Sequence, residues 1–110
     1  MTETLKILGQ SAPGATTLTQ LYKVPAATTV TISSLVVCNT GAATTTFRFY
    51  VGPTASASAP VGEAIYYDVA IPANDTFICT AGLTGIAATY FTCYATLATL
   101  TFTLFGVETT

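Results

Sequence analysis

Short apolar segments with a period of two run along the chain, and turn residues separate them about every ten positions. The clearest segment is residues 99–105, TLTFTLF, in which Leu100, Phe102 and Leu104 alternate with threonines. This alternation is typical of a strand with one buried and one solvated face. No segment has the spacing of an amphipathic helix. The pattern predicts an all-β, antiparallel fold, either a β-sandwich or a jelly-roll-like barrel, with seven to eight short strands.

The same period-two test places the individual strands. Predicted strands cover residues 3–8, 17–24, 29–39, 45–51, 63–71, 76–80 and 89–95, and a last strand begins at residue 99. The 29–39 segment needs a bulge near residues 33 and 34 to keep its apolar side chains on one face. We expect it to form a hairpin with 45–51. Residues 82–86 are predicted as a turn, and Gly106 as the end of the last strand.

Threonine and the scarcity of charge define the expected surface. Threonine fills about a fifth of the positions, and its branched, neutral side chain suits a strand face that is wet but uncharged. Charged residues make up 7% of the chain, against about 25% in an average domain. With a net charge of −2, such a surface repels its neighbours weakly. The composition therefore favours a protein that packs against other chains.

The same composition argues against nucleic-acid and membrane partners. Three basic residues cannot neutralise a run of phosphates, so no nucleic-acid partner is expected. Mean hydropathy is +0.62, yet polar residues or glycine and proline interrupt every run that approaches the roughly 20 apolar residues of a spanning helix. The N-terminal residues lack the pattern of a secretory signal. We expect synthesis and use without export.

Candidate groups for catalysis or cofactor binding are few. The chain has no histidine, which removes the usual general base. Glu63 and Asp68 have opposite parity in one predicted strand and would point to opposite faces. Cys38, Cys79 and Cys93 form no metal-binding pattern and are expected as small buried residues. A Cys38–Cys93 disulfide stays open if their strands face each other. We therefore predict a protein that is not an enzyme and has no metal or cofactor.

Tyrosine is the residue type that best suits an interaction face here, since it combines apolar area with a hydroxyl. In the 63–71 strand, parity places Tyr66 and Asp68 opposite Ile65 and Tyr67. Tyr66 is therefore the predicted exposed tyrosine. The candidate interaction residues are Tyr66, Tyr22, Arg48 and Asp68.

One domain is expected over residues 1–110, because the chain is short and shows no linker between two stable parts. Residues 53–62, PTASASAPVG, are rich in small side chains and are predicted to be a flexible loop or a segment that drapes over a surface. This loop and the N-terminal residues 1–16 are the segments expected to reach neighbouring subunits.

Four segments, LYKVPA, LVVCN, PANDTF and ATLTFTLFG, carry a resemblance to small virion-associated structural proteins of tailed bacteriophages. The resemblance extends over nearly the full chain and contains no catalytic signature. It implies a structural or accessory protein that is made in the bacterial cytoplasm and located in the virion. It supplies no functional residues.

Together, the residues and the resemblance favour a non-enzymatic virion protein that decorates or cements the capsid. Its expected partners are further copies of itself and other virion proteins, such as the major capsid or tail protein. A component associated with the tail, baseplate or fibre is one alternative. A module that binds host-surface glycans through its tyrosines is another.

Overall fold

The computed structural model describes residues 1–110 and confirms the all-β prediction, since two antiparallel sheets pack against each other as a β-sandwich. There are nine strands, and no helix is longer than a single turn. The strands are β1 (Glu3–Ser11), β2 (Thr19–Lys23), β3 (Thr29–Asn39), β4 (Thr45–Gly52), β5 (Ala64–Ile71), β6 (Thr76–Cys79), β7 (Leu83–Gly85), β8 (Tyr90–Ala95) and β9 (Leu100–Thr109).

The strands divide into two sheets. Sheet A has the order β1-β9-β3-β6, and β7 also pairs with β3. Sheet B has the order β2-β8-β4-β5. The edges of the sandwich are therefore β1, β6 and β7 in sheet A, and β2 and β5 in sheet B.

The core lies between the sheets and is built from the alternating residues of both. In β9, Leu100, Phe102 and Leu104 are fully buried, as their period of two predicts. Phe47 of β4 contacts Phe102 across the interface, with ring centroids 6.0 Å apart in an edge-to-face arrangement. Phe77 of β6 lies closer to Phe47, with ring centroids 5.2 Å apart. Aromatic packing therefore joins the two sheets at their centre.

Gly106 does not end the last strand, contrary to the sequence prediction. β9 continues to Thr109, with Gly106 paired to Lys6 on one side and to Ile32 on the other. Both neighbouring strands are bulged beside it, β3 between Ile32 and Ser34 as the sequence predicted. A Cβ at position 106 would lie 2.9 Å from Cδ1 of Leu8. The glycine is needed for close packing within the strand.

The predicted hairpin between residues 29–39 and 45–51 is also wrong. β3 belongs to sheet A and β4 to sheet B, so residues 40–44 cross from one sheet to the other. Asn39 fixes this corner, because its buried amide donates to the carbonyl oxygens of Ala43 and Ile71 at 2.9 and 3.1 Å. Its Oδ1 accepts from the Gly41 N–H at 3.0 Å.

Two further segments differ from the prediction. Residues 83–85 form β7, which extends sheet A, where a turn was predicted. The loop predicted at residues 53–62 forms two 3₁₀ turns, Ser56–Ser58 and Val61–Glu63, and packs against sheet B of its own chain. Ser56 is buried there and shares a hydrogen bond with Thr92 at 2.6 Å. This contact supports the surface-draping description of the loop.

All three cysteines are free, and the disulfide left open above is absent. Cys38 is half-buried in β3 and pairs with Thr76 on the outer side of sheet A. Cys93 points into the core, where burial raises the pKa of its thiol to about 12. The two strands belong to different sheets, as the disulfide would require. The Cys38 side chain points outward and the Cys93 side chain points into the core, so the two thiols do not face each other.

None of the chain's helical turns has the length and apolar character that crossing a membrane would require.

Candidate interaction surface

Arg48 and Asp68 are brought together on the outer side of sheet B. The Arg48 guanidinium donates to Asp68 through Nε at 2.7 Å and through Nη2 at 3.3 Å. It also lies over the rings of Tyr67 and Tyr94, at 4.1 and 4.5 Å from their centroids. The hydrogen bond to Asp68 is the main reason that the pKa of Arg48 is raised. These four residues form the Arg48 cluster, in which the charges of one base and one acid balance.

Tyr66 is not the exposed residue of β5. A bulge lies around Asp68, whose φ of 53° is in the left-handed region, and it shifts the pairing of β5 with β4. Tyr66 therefore turns toward the core and packs edge-on against Phe77 at 5.2 Å. Its hydroxyl donates to Sγ of Cys79 at 2.8 Å, which raises the pKa of the Tyr66 hydroxyl. Tyr67 takes the outward position instead.

Tyr22 links the two sheets from within. Its ring is buried in β2, 5.8 Å from the ring of Phe91, and its hydroxyl donates to the carboxylate of Glu108 in β9. Lys6 donates to the other oxygen of Glu108 at 3.1 Å. Burial, followed by the contact with Glu108, raises the pKa of Tyr22. The hydrogen bond from Tyr22 is in turn the main cause of a lowered pKa for Glu108.

The four candidate residues from the sequence thus separate into three places. Arg48 and Asp68 meet on the surface, Tyr22 lies between the sheets, and Tyr66 faces the core. The alternation of residues along β5 could not predict this division. The bulge at Asp68, where the backbone is left-handed, shifts the alternation, so that Tyr66 faces the core and Tyr67 faces outward.

Part of the outer side of sheet B is covered by its own chain. Tyr50 of β4 and Thr92 of β8 are opposite each other in register, and both are buried although they point away from the core cluster. The 53–63 segment covers them, with Ser56 on Thr92. Glu63 closes this segment by accepting from the Thr54 hydroxyl.

The outer side of sheet A, in contrast, has no covering segment and almost no charge. Glu3, at the start of β1, is the one charged residue whose strand position falls on this side. Three of its large apolar side chains are well exposed, namely Leu5 (80%), Ile78 (62%) and Ile7 (50%). We call this surface without Glu3 the uncharged face, and it comprises Leu5, Ile7, Gln10, Thr31, Ser34, Val36, Cys38, Thr76, Ile78, Thr84, Thr101, Thr103, Phe105 and Val107.

Register explains how the apolar residues of this face group together. Leu5 is opposite Val107 and Ile7 is opposite Phe105, so the four side chains line one shallow groove at the β1 side. Val36 is opposite Ile78 and forms a second apolar group toward β6. Ser34 and Thr103 occupy the positions between the two groups.

Sequence reasoning did not identify this face, although one signal was present. Residues 104–107, LFGV, have apolar residues at both parities, which departs from the alternation earlier in the same strand. A strand that is apolar at both parities has two faces to cover. The outward threonines of β9 give way there to Phe105 and Val107.

The chain matches no protein-family model, and no curated protein or solved structure matches it either. Its side chains include no group of three or more cysteine, aspartate or glutamate residues that could hold a metal ion. The surface itself is therefore the basis for any functional inference.

Proposed function

We propose that this protein is a non-enzymatic structural subunit of a tailed-bacteriophage virion, which binds the capsid surface as a decoration or cement protein. The observation that carries the proposal is the uncharged face of sheet A, on which Leu5, Ile7 and Ile78 are exposed. Glu3 is the one charged residue on this side of sheet A, so burying the face desolvates little charge, and the exposed apolar groups supply the driving force for association. The resemblance of the quoted segments to virion-associated proteins supports the same proposal.

The environment of the carboxylates supports a structural role. Glu108 accepts from Tyr22 and Lys6, and Asp68 accepts from Arg48. Glu63 accepts from Thr54, and Asp75 accepts from the N–H of Thr76. Each of these acids therefore has a partner that holds a local piece of the fold.

A virion component of the tail, baseplate or fibre is the alternative within the same proposal, and copy number separates the two. The test is quantitative mass spectrometry of purified particles of the encoding phage, with this chain counted per major capsid subunit. A decoration protein is expected at hundreds of copies, whereas about six to a few dozen copies would indicate the tail apparatus. Absence of the chain from purified particles would contradict both.

The glycan-binding alternative has less support from the geometry. Sugars stack on free aromatic faces, but one face of Tyr67 and one face of Tyr94 are occupied by the Arg48 guanidinium. Tyr22 and Tyr66 have their rings packed inside. A glycan array that bound wild-type protein but not a Tyr67→Ala variant would restore this alternative.

A further inference from the structure

The five edge strands of the sandwich differ in how well they are protected. β2 and β5 have bulges, and β6 and β7 are only four and three residues long. Bulges and short lengths are the usual ways in which proteins prevent an edge from pairing with another chain. The first part of β1 has neither protection, since residues 3–7 pair with β9 without interruption and are all exposed.

The hydrogen-bond pattern shows which groups of β1 are free. Thr2 and Thr110 exchange two backbone hydrogen bonds of 2.9 Å, N–H to C=O in each direction. Such pairs alternate along an antiparallel ladder, so Thr4 and Lys6 are the next residues bonded to β9. Glu3, Leu5 and Ile7 therefore direct their N–H and C=O groups away from β9, toward the open edge.

We propose that β1 pairs antiparallel with β1 of a second copy of this chain, about a two-fold axis that passes beside Leu5. In this register Leu5 faces Leu5 of the second copy, and Glu3 faces Ile7. All three free residues of each strand then meet as hydrogen-bonded pairs, which gives about six backbone hydrogen bonds between the chains. The two-fold makes the interface self-complementary.

Neighbouring registers are less favourable. An axis at Thr4 would leave Ile7 outside the paired stretch. An axis at Lys6 would set two lysines directly opposite each other, which is destabilising in a sheet. Lys6 would otherwise discourage edge pairing, but Glu108 neutralises it at 3.1 Å on the inner side of the strand.

This dimer makes the proposed function more specific. The purpose given to the pairing rests on that proposed function. The two A sheets would become one continuous sheet, and the grooves between Leu5, Ile7, Phe105 and Val107 would lie side by side across the axis. A partner surface would then meet an apolar strip that is twice as wide and that includes the two Glu3 side chains, each opposite Ile7 of the other copy. The dimer is the unit expected to bind the particle.

Disulfide trapping tests the register. In a Cys38→Ser background, Leu5→Cys places the two new thiols at a Cα separation of about 5.5 Å, within disulfide range. Ile7→Cys is the matched control on the same edge and face, and its two copies would be about 14 Å apart. Mild oxidation should give at least about tenfold more covalent dimer with Leu5→Cys than with Ile7→Cys. Equal cross-linking, or more with Ile7→Cys, would overturn the proposal.

Sedimentation equilibrium tests the edge itself. At concentrations up to about 100 μM the wild-type mass should approach twice the 11.3 kDa of one chain. Leu5→Pro removes an N–H that β9 does not use, so this variant should fold and remain monomeric. Leu5→Lys, which sets two lysines on the axis, provides a second variant without a backbone change. A wild type that stays monomeric throughout overturns the inference.

Ile78→Lys, far from the edge on the uncharged face, should still dimerise. A dimer lost with Ile78→Lys but kept with Leu5→Pro would mean that the faces pack together, which also overturns the inference. The two proposals fail separately. A dimer whose chain is absent from particles contradicts the virion function alone, whereas a monomer found in particles contradicts the edge pairing alone.

Discussion

At the scale of single residues, the contact between Tyr22 and Glu108 is a polar link across the sandwich that involves a charged group. Tyr22 belongs to sheet B and Glu108 to sheet A, and the carboxylate is largely enclosed. A hydrogen bond from a neutral donor to a charged acceptor is stronger than one between neutral groups. It fixes the ends of the two sheets relative to each other.

This link predicts a loss of stability in acid. The pKa of Glu108 is lowered by folding, so its stabilising contribution is complete above the unfolded value of about 4.3. The contribution is lost as the pH falls below that value and through the folded pKa. Glu108→Gln should lower the free energy of unfolding at pH 7 by about 1–3 kcal/mol. The wild-type protein should lose about the same amount of stability between pH 5 and pH 2, and the variant should not show this loss.

Urea unfolding at a series of pH values measures this effect. Glu3→Gln is the matched control, because Glu3 is exposed and forms no ion pair. A Glu108→Gln variant with the same acid sensitivity as wild type would contradict the account.

At the scale of strands, the sequence predicted where most strands lie but not how they pair. The period of two depends on local side chains, and the all-β sandwich and the bulge in β3 followed from it. Partner choice depends on the whole chain, so the corner at Asn39 was mistaken for a hairpin turn. Tyr66 was misplaced for a related reason, since parity holds only until a bulge such as that at Asp68.

The bulge in β5 should depend on the residue that forms it. Asp68 has a φ of 53°, a conformation that aspartate and asparagine adopt more readily than branched residues do. Asp68→Val should lower the free energy of unfolding by about 1–3 kcal/mol more than Asp68→Asn. Both variants lose the charge of Asp68, so the difference between their urea midpoints reports mainly the backbone, together with any hydrogen bond that asparagine keeps with Arg48. Equal midpoints would contradict this prediction, because valine would then adopt the left-handed conformation of the bulge as readily as asparagine.

Gly106 provides a second test at this scale. An added methyl group would meet the Thr31 carbonyl oxygen and the Leu8 side chain, where the bulges of β1 and β3 converge. Gly106→Ala should therefore lower the free energy of unfolding by about 2 kcal/mol or more. Gly62→Ala is the control, because a Cβ there meets no atom within 4 Å. Similar thermal midpoints for the two variants would be inconsistent with this packing.

At the scale of the whole molecule, the two outer sides of the sandwich have different properties. Sheet B is partly covered by residues 53–63 and has a balanced ion pair between Arg48 and Asp68. The outer side of sheet A has no cover and little charge. The sequence indicated a low-charge surface overall, but the concentration of apolar residues on one side depends on register and could not be predicted from composition.

Binding to particles is the most direct test of the claim that the uncharged face is the assembly surface. Particles that lack the chain are incubated with purified protein, and the bound copies are counted after sedimentation. Ile78→Lys is compared with Val61→Lys, because the two side chains are similarly exposed, at 62% and 67%, and Val61 lies on the covering segment of sheet B. Ile78→Lys should reduce binding by at least about tenfold, since a lysine must then be desolvated, and Val61→Lys should bind like wild type. Undiminished binding by Ile78→Lys, or a loss with Val61→Lys alone, would contradict the account.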